Sequence, residues 1–250
     1  MADPAPPTEF RHARFADALA AGPSLPARVH GSRALRRRQV LAARLCRSLG
    51  RVSASGLEHV PTVGPVILAV NHTSWLDGPL LFGLVDRPVS FLVKAEAFQP
   101  VGGLAGRVLL GAGQLPVRRY QIDPGPVRFA LELLAAGGVL GMFPEGTRGR
   151  GLASQVRPGV GYFAVKTGAP VLPVAVLGAA GMVRTAGRPP VTVRIGPPVT
   201  VPAVPPGAVA HRTRWLAAAE TIRRALAEQV RQGMADLLPL AGRPPTTMDG

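Results

Sequence analysis

The chain has 250 residues, 47% of them hydrophobic, enough for one large domain or two small ones with a sizeable core, and this excludes disorder throughout. Twenty-nine Lys and Arg against fourteen Asp and Glu leave a net charge of +15, which calls for an anionic partner: nucleic acid, lipid headgroup or phosphorylated substrate. The cations are 27 Arg and 2 Lys, and with 30 Gly and 27 Pro part of that charge has the look of GC-rich codon usage. A single cysteine, Cys46, excludes an internal disulfide framework and a cysteine metal site, and fits a reducing cytosol. The start, MADPAPPTEF, lacks the basic residues and apolar run of a secretory signal. The longest charge-free stretch, Thr167 to Val183, is broken by Pro170 and Pro173 and falls short of the roughly 18 apolar residues of a spanning helix.

In chain order, residues 1–32 mix Pro, Ala and charges without period and are expected to form a disordered or weakly ordered arm, with a short helix near Phe10–Ala20. Residues 33–51 predict a basic amphipathic helix. At about 100° per residue, Leu35, Leu41, Leu45, Cys46 and Leu49 share one arc, and Arg33, Arg36, Arg37, Arg44, Arg47 and Arg51 gather opposite. Residues 52–238 read as one domain. Strands are expected at Val66–Val70, Val89–Val93, Val139–Phe143, Val171–Val176 and Val191–Ile195, with helices at about 76–84, 126–136, 158–167 and 209–237. Long apolar strands alternating with helices predict an α/β fold: a mixed, largely parallel sheet covered by helices on both faces. Residues 239–250 read as a frayed tail.

Chemistry concentrates at three strand ends. The strand VILAV runs into Asn71-His72-Thr73-Ser74-Trp75-Leu76-Asp77. A His at the end of a buried strand, with an Asp five residues on, can set a carboxylate against one imidazole nitrogen and leave the other facing a cleft, which is a general base with its orienting partner. A lone His is more often a surface or core residue, but Asn71 beside it is the only Asn in the chain. Strand VLGMF ends in Pro144-Glu145-Gly146-Thr147-Arg148, a turn with a hydroxyl, an Arg fork and free backbone N–H groups that can cradle an anion; it also reads as an ordinary glycine turn with a solvated Arg. Gly113 to Arg119 offers another glycine turn ending in adjacent cations, and Lys94, one of two lysines, follows the VSFLV strand.

Together these residues resemble the glycerolipid acyltransferases, the enzymes that acylate 1-acylglycerol-3-phosphate and related lysolipids. Asn71, His72 and Asp77 match the family's first block in full, and Phe143 to Arg148 its third. The second block is met by Gly113 and Arg119 but has Pro116 and Arg118 where Phe and Asp are usual, and the fourth fits Val171-Leu172-Pro173-Val174. The resemblance covers about residues 52–200.

It implies direct attack without an acyl-enzyme. His72 takes the proton of a glycerol hydroxyl, Asp77 fixes the imidazole, and Asn71, Lys94, Gly113, Arg119, Phe143, Pro144, Glu145, Gly146, Thr147 and Arg148 bind the acceptor. Acyl-CoA or acyl-ACP would be the co-substrate, with no bound cofactor and no metal. The expected product is phosphatidic acid, and another lysolipid or glycolipid acceptor is the alternative. The absence of a G-x-S-x-G elbow agrees with this scheme. The helix at 33–51 is then expected to meet anionic lipids, which places the protein peripherally on the cytoplasmic face of the membrane; packing of its leucines on the domain is the competing reading. A nucleic-acid or anionic-lipid binding protein without activity is the rival from another class, disfavoured by few aromatics and no zinc-finger, RNP or zipper pattern.

Overall fold

The computed structural model describes residues 33–98, 104–117, 124–185, 187–201 and 212–241. The expected arm, 1–32, lies outside them, as do Arg119 and residues 242–250 of the expected tail; residues 239–241 of that tail instead complete the last helix. Thirteen elements follow in order: α1 (Arg33–Leu49), β1 (Arg51–Ser55), β2 (Val66–Val70), α2 (Asp77–Leu84), β3 (Val89–Lys94), α3 (Leu104–Gly111), β4 (Leu115–Val117), α4 (Pro124–Ala135), β5 (Val139–Met142), α5 (Gly159–Thr167), β6 (Val171–Leu177), β7 (Pro190–Ile195) and α6 (Arg212–Ala241). Short 3-10 turns aside, the strands among the described residues form one seven-stranded sheet in the order β1-β7-β6-β2-β5-β3-β4. All neighbours are parallel except β6 and β7.

The five residues of β2 are fully buried, which a strand reaches only with helices over both faces. Its alternation sorts the core. Val66, Leu68 and Val70 pack with Cys46 of α1 and with Leu80 and Leu81 of α2. Ile67 and Ala69 pack with Phe129 and Leu133 of α4, Phe163 of α5 and Ile222 of α6. The long α6 buries Ala219, Ile222, Leu226 and Val230 at helical spacing, as expected, and keeps Glu220 with Arg223 and Arg224 on its outer side. Those two guanidiniums pull the Glu220 carboxyl down to about 2. The α5–α6 crossing is tight because Gly161 lacks a side chain: a Cβ there would stand 2.8 Å from the Ala219 nitrogen.

Two strands and one helix go beyond the sequence expectation. β1 is a half-exposed edge strand, RVSAS, without an apolar run, and β4 is a three-residue edge strand containing Pro116. The short α3, LAGRVLLG, carries two glycines. The helix expected over 33–51 stops at Leu49, because Gly50 lets the chain turn against Val191 and Met182 into β1.

The apolar arc expected on α1 is divided. Leu35 and Cys46 are buried against the domain, and Leu49 packs on the same core. Leu41 and Leu45 face outward at 67% and 56% exposure, and Val40 is exposed with them. Two devices hold this rotation. Gln39, buried, donates from Nε2 to the carbonyls of Phe82 and Val85, both at 3.2 Å, which satisfies orphan acceptors at the end of α2. At Gly83 the backbones of α1 and α2 touch, since a Cβ would lie 2.6 Å from the Ala43 nitrogen. Arg38 also reaches the carbonyl of Gly111 at the end of α3. Among the described residues no helix is long and apolar enough to cross a membrane.

Candidate active site

In a parallel sheet, chain segments that leave neighbouring strands at their C-terminal ends meet on one edge. Here β2, β5 and β3 are adjacent, so His72, Pro144 and Lys94 emerge on the same edge, two strands apart at most. Lys94 is exposed and pairs in register with Val117 of β4. Gly113 sits at φ 75°, a left-handed turn before β4, where glycine is the low-cost residue.

The segment after β2 turns at once into α2, and Asp77 is that helix's first residue. Its carboxylate is fully buried. Oδ2 accepts N–H groups from Thr73 and Ser74, each at 2.8 Å, and lies 3.0 Å from His72 Nδ1. A carboxylate oxygen at that distance accepts the Nδ1–H of the imidazole tautomer whose Nε2 lone pair is open. The helix start favours the carboxylate charge. Among the described residues Asp77 Oδ1 is buried with no hydrogen-bond partner; the carboxylate charge stands beside the imidazolium that proton abstraction would create. The His72 side chain is 15% exposed, enough for one edge to reach a substrate.

The backbone of His72 is held by the loop after β5. Its N–H donates to Glu145 Oε1 at 3.2 Å, and its carbonyl accepts from Gly149 N at 3.0 Å. Arg157 N closes the loop on the Pro144 carbonyl at 2.7 Å. Burial raises the Glu145 carboxyl above the ordinary range, against the lowering effect of the N–H groups of His72 and Ala153 that it accepts. Gly146, at φ 76°, lies beneath the Arg157 guanidinium, in space a Cβ would need. Thr147 and Arg148 are exposed on the same loop.

Asn71 is fully buried. Its Nδ2 donates to the carbonyls of Gly151 and Val176, both at 3.1 Å, and its Oδ1 accepts from Val176 N at 2.7 Å. Both amide ends are used within the protein. The amide thus splices β2 to β6 and to the 144–157 loop, a splice that a sequence-based assignment to substrate binding misses. Phe143 stacks on the His72 ring. Sequence reasoning also passes over Gln114, Gly151 and Arg157. Gln114 is buried and clamps β3, accepting from Phe91 N at 2.9 Å and donating to Val89 O at 3.1 Å; its place next to Gly113 is the only signal. Cys46 is buried and its thiol is pushed up by burial, which suits a core residue and not a nucleophile. Nor do all arginines await an anion: Arg87 binds the carbonyls of Pro61, Gly64 and Gly137 at the opposite end of the sheet.

Comparison with known proteins agrees with this fold. A crystal structure of the 1-acyl-sn-glycerophosphate acyltransferase of Thermotoga maritima superposes with a TM-score of 0.58 over 86% of this chain and 88% of that one, at 24% identity, a likeness of fold. A 1-acyl-sn-glycerol-3-phosphate acyltransferase of Bacillus subtilis is 29% identical over 100 residues, 40% of this chain. A lyso-ornithine lipid O-acyltransferase of Pseudomonas aeruginosa is 38% identical over 165 residues, 63% of this chain. The chain spans 49% of the length of the first relative and 61% of the second. The family model described as Acyltransferase matches residues 51–177, from β1 through the buried pair and its loop to the end of β6. With that match over half its length, the chain belongs to the acyltransferase family, on the glycerolipid side that the two motif blocks resemble.

Proposed function

We propose that the protein moves a fatty acyl group from an acyl thioester, acyl-CoA or acyl-ACP, to the free hydroxyl of 1-acylglycerol-3-phosphate, giving phosphatidic acid. The observation that carries the reading is the buried Asp77 carboxylate on His72 Nδ1, which presents Nε2 as a base at an edge shared with an Arg-bearing loop. His72 Nε2 takes the hydroxyl proton as the acceptor oxygen bonds to the thioester carbon; the C–S bond then breaks, and the thiolate leaves with the proton returned from the imidazolium. A thiol of pKa about 8.5 needs no second strong acid to depart. Arg148 and Thr147, with Lys94 and Arg119, hold the acceptor headgroup, while Asn71, Pro144 and Glu145 shape the loop and strand ends behind it.

A second acceptor, a lyso-ornithine lipid, is supported by the 38% identity to the Pseudomonas enzyme. Purified protein, acyl-CoA and both lysolipids in parallel reactions test the two readings. Acylation of lysophosphatidic acid above lyso-ornithine lipid is the expected result, the reverse order favours the second acceptor, and inactivity on both sinks both acceptor readings. Arg148→Ala is expected to raise the acceptor KM about tenfold or more, the scale of a charge-assisted hydrogen bond, and to leave the thioester KM unchanged. A KM change confined to the thioester counts against the role.

The outward side of α1 supports a membrane surface as the second partner, on the cytoplasmic face. Arg36, Arg37 and Arg44 line an open depression with Val40 and Leu41, cations beside apolar groups, as an interfacial helix requires. The side chains that seat α1 on the domain are different ones, so the two contacts can coexist. Leu41→Glu with Leu45→Glu is expected to abolish flotation with phosphatidylglycerol vesicles without loss of folding; flotation equal to wild type retires the membrane contact.

A further inference from the structure

Among the described residues Asp77 gives the imidazole of His72 its one hydrogen bond. A ring held through Nδ1 alone can still tilt about that hydrogen bond, and a tilt displaces Nε2, the atom that must meet the acceptor hydroxyl. The structure supplies the missing constraint from the adjacent strand. The ring of Phe143 lies face to face with His72, centroids 4.0 Å apart and planes 22° from parallel. Behind it the ring of Phe91 stacks on Phe143 at 5.1 Å and 15°. Phe91 is buried at 2% exposure, so the far end of the stack is anchored in the core.

The stack has a cause in the sheet. Phe91 of β3 is the register partner of Gly141 of β5, and Phe143 lies two residues beyond Gly141, on the same face of the sheet. A Cβ on Gly141 would stand 2.7 Å from Phe91 Cζ and closer still to Cε1. Gly141 is therefore the space into which Phe91 lies down, and from there Phe91 braces Phe143 against the base. The φ of Gly141 is not in the left-handed region, so this glycine serves size and not turn geometry.

We infer that Phe143 is a positioning residue for the base, seated by the Gly141–Phe91 pair, and not a contact for the acyl acceptor. Its ring holds the plane of the imidazole in the ground state. When Nε2 takes the proton, the same π face lies against the imidazolium, where cation and ring attract. The inference rests on the acyl-transfer reading for its kinetic consequence and on geometry alone for its structural one.

Two readouts on the full-length protein test it. Phe143→Leu, which removes the ring and keeps most of the volume, is expected to lower kcat about 3- to 30-fold with both KM values within about twofold of wild type. Phe143→Tyr, which restores a ring, is expected to recover most of the rate. Phe91→Leu, distant from any substrate, should lower kcat in the same direction and by less. In proton spectra the His72 ring signals, identified by their absence from His72→Ala, should lie upfield in wild type from the ring current of Phe143 and move back in Phe143→Leu. Wild-type kcat in Phe143→Leu, a loss confined to KM, or His72 signals at ordinary positions in wild type overturns the inference. Failure of the acyl-transfer reading looks different: wild-type protein is then inactive on every acceptor, whatever the spectra show.

Discussion

His72→Ala is expected to reduce acyl transfer by about 10²–10⁴-fold, the range lost with a positioned general base, while the protein stays folded. The second half of that expectation is structural. The imidazole is a late addition to a frame that stands without it: the bonds that tie residue 72 to Glu145 and Gly149 come from its backbone, and any residue but proline supplies them. Asp77 Oδ2 keeps its two donors from Thr73 and Ser74. What is lost is partial burial of one ring and its stack on Phe143, a stability change of about 1–3 kcal/mol. Turnover of lysophosphatidic acid by the purified variant, measured beside its thermal unfolding, checks both halves. Turnover within tenfold of wild type in a folded variant ends the assignment of His72 as the base.

Asp77→Asn is expected to be nearly as damaging, about 10²–10⁴-fold, for a different reason. If the amide oxygen takes the place of Oδ2, it can still accept from Thr73 and Ser74, so the turn survives. The amide nitrogen then takes the buried position of Oδ1 and brings two donors that must be satisfied there. If the amide flips, two backbone N–H groups face an NH₂ instead, and His72 Nδ1 meets a donor, which drives the proton to Nε2 and removes the base's lone pair. Either way the negative charge that would stabilise an imidazolium is gone. An Asp-to-Asn change behind the base of a serine-protease triad follows the same logic and brings a comparable loss. A rate measured across neutral pH decides it: a variant with more than a tenth of wild-type activity shows that the carboxylate charge is dispensable.

Much of the framework was legible in the residues. The strands around Val66, Val139 and Val171 announced themselves because a central strand covered on both faces must be apolar throughout. The edge strands did not, since an edge needs less apolar surface and tolerates Pro116. Asp77 and His72 were legible as a pair because their partnership is local, five residues apart. The roles of Asn71 and Glu145 were not, because each depends on a contact more than seventy residues away, Asn71 with Gly151 and Val176 and Glu145 with the His72 backbone. Periodicity likewise found an apolar arc on α1 but could not say which half would be buried. That was decided by Gln39 and Gly83, a polar residue and a glycine that a hydrophobic count passes over.

The contact at Gly83 bears on the modularity of the protein. An appended anchor can be cut away or exchanged between relatives, because nothing beneath it depends on its shape. The first helix is not appended in that sense. Its backbone fits a gap that only a glycine leaves, and its Cys46 shares a core with Leu80 and Leu81 of α2 and with Val66 and Leu68 of the central strand. A chain beginning near residue 52 would expose that layer, and a helix borrowed from elsewhere would need a small residue opposite position 83 before its lipid-facing side mattered at all. The packed unit therefore begins upstream of the matched family segment, and whatever surface α1 meets, it meets while seated on the layer that covers the central strand.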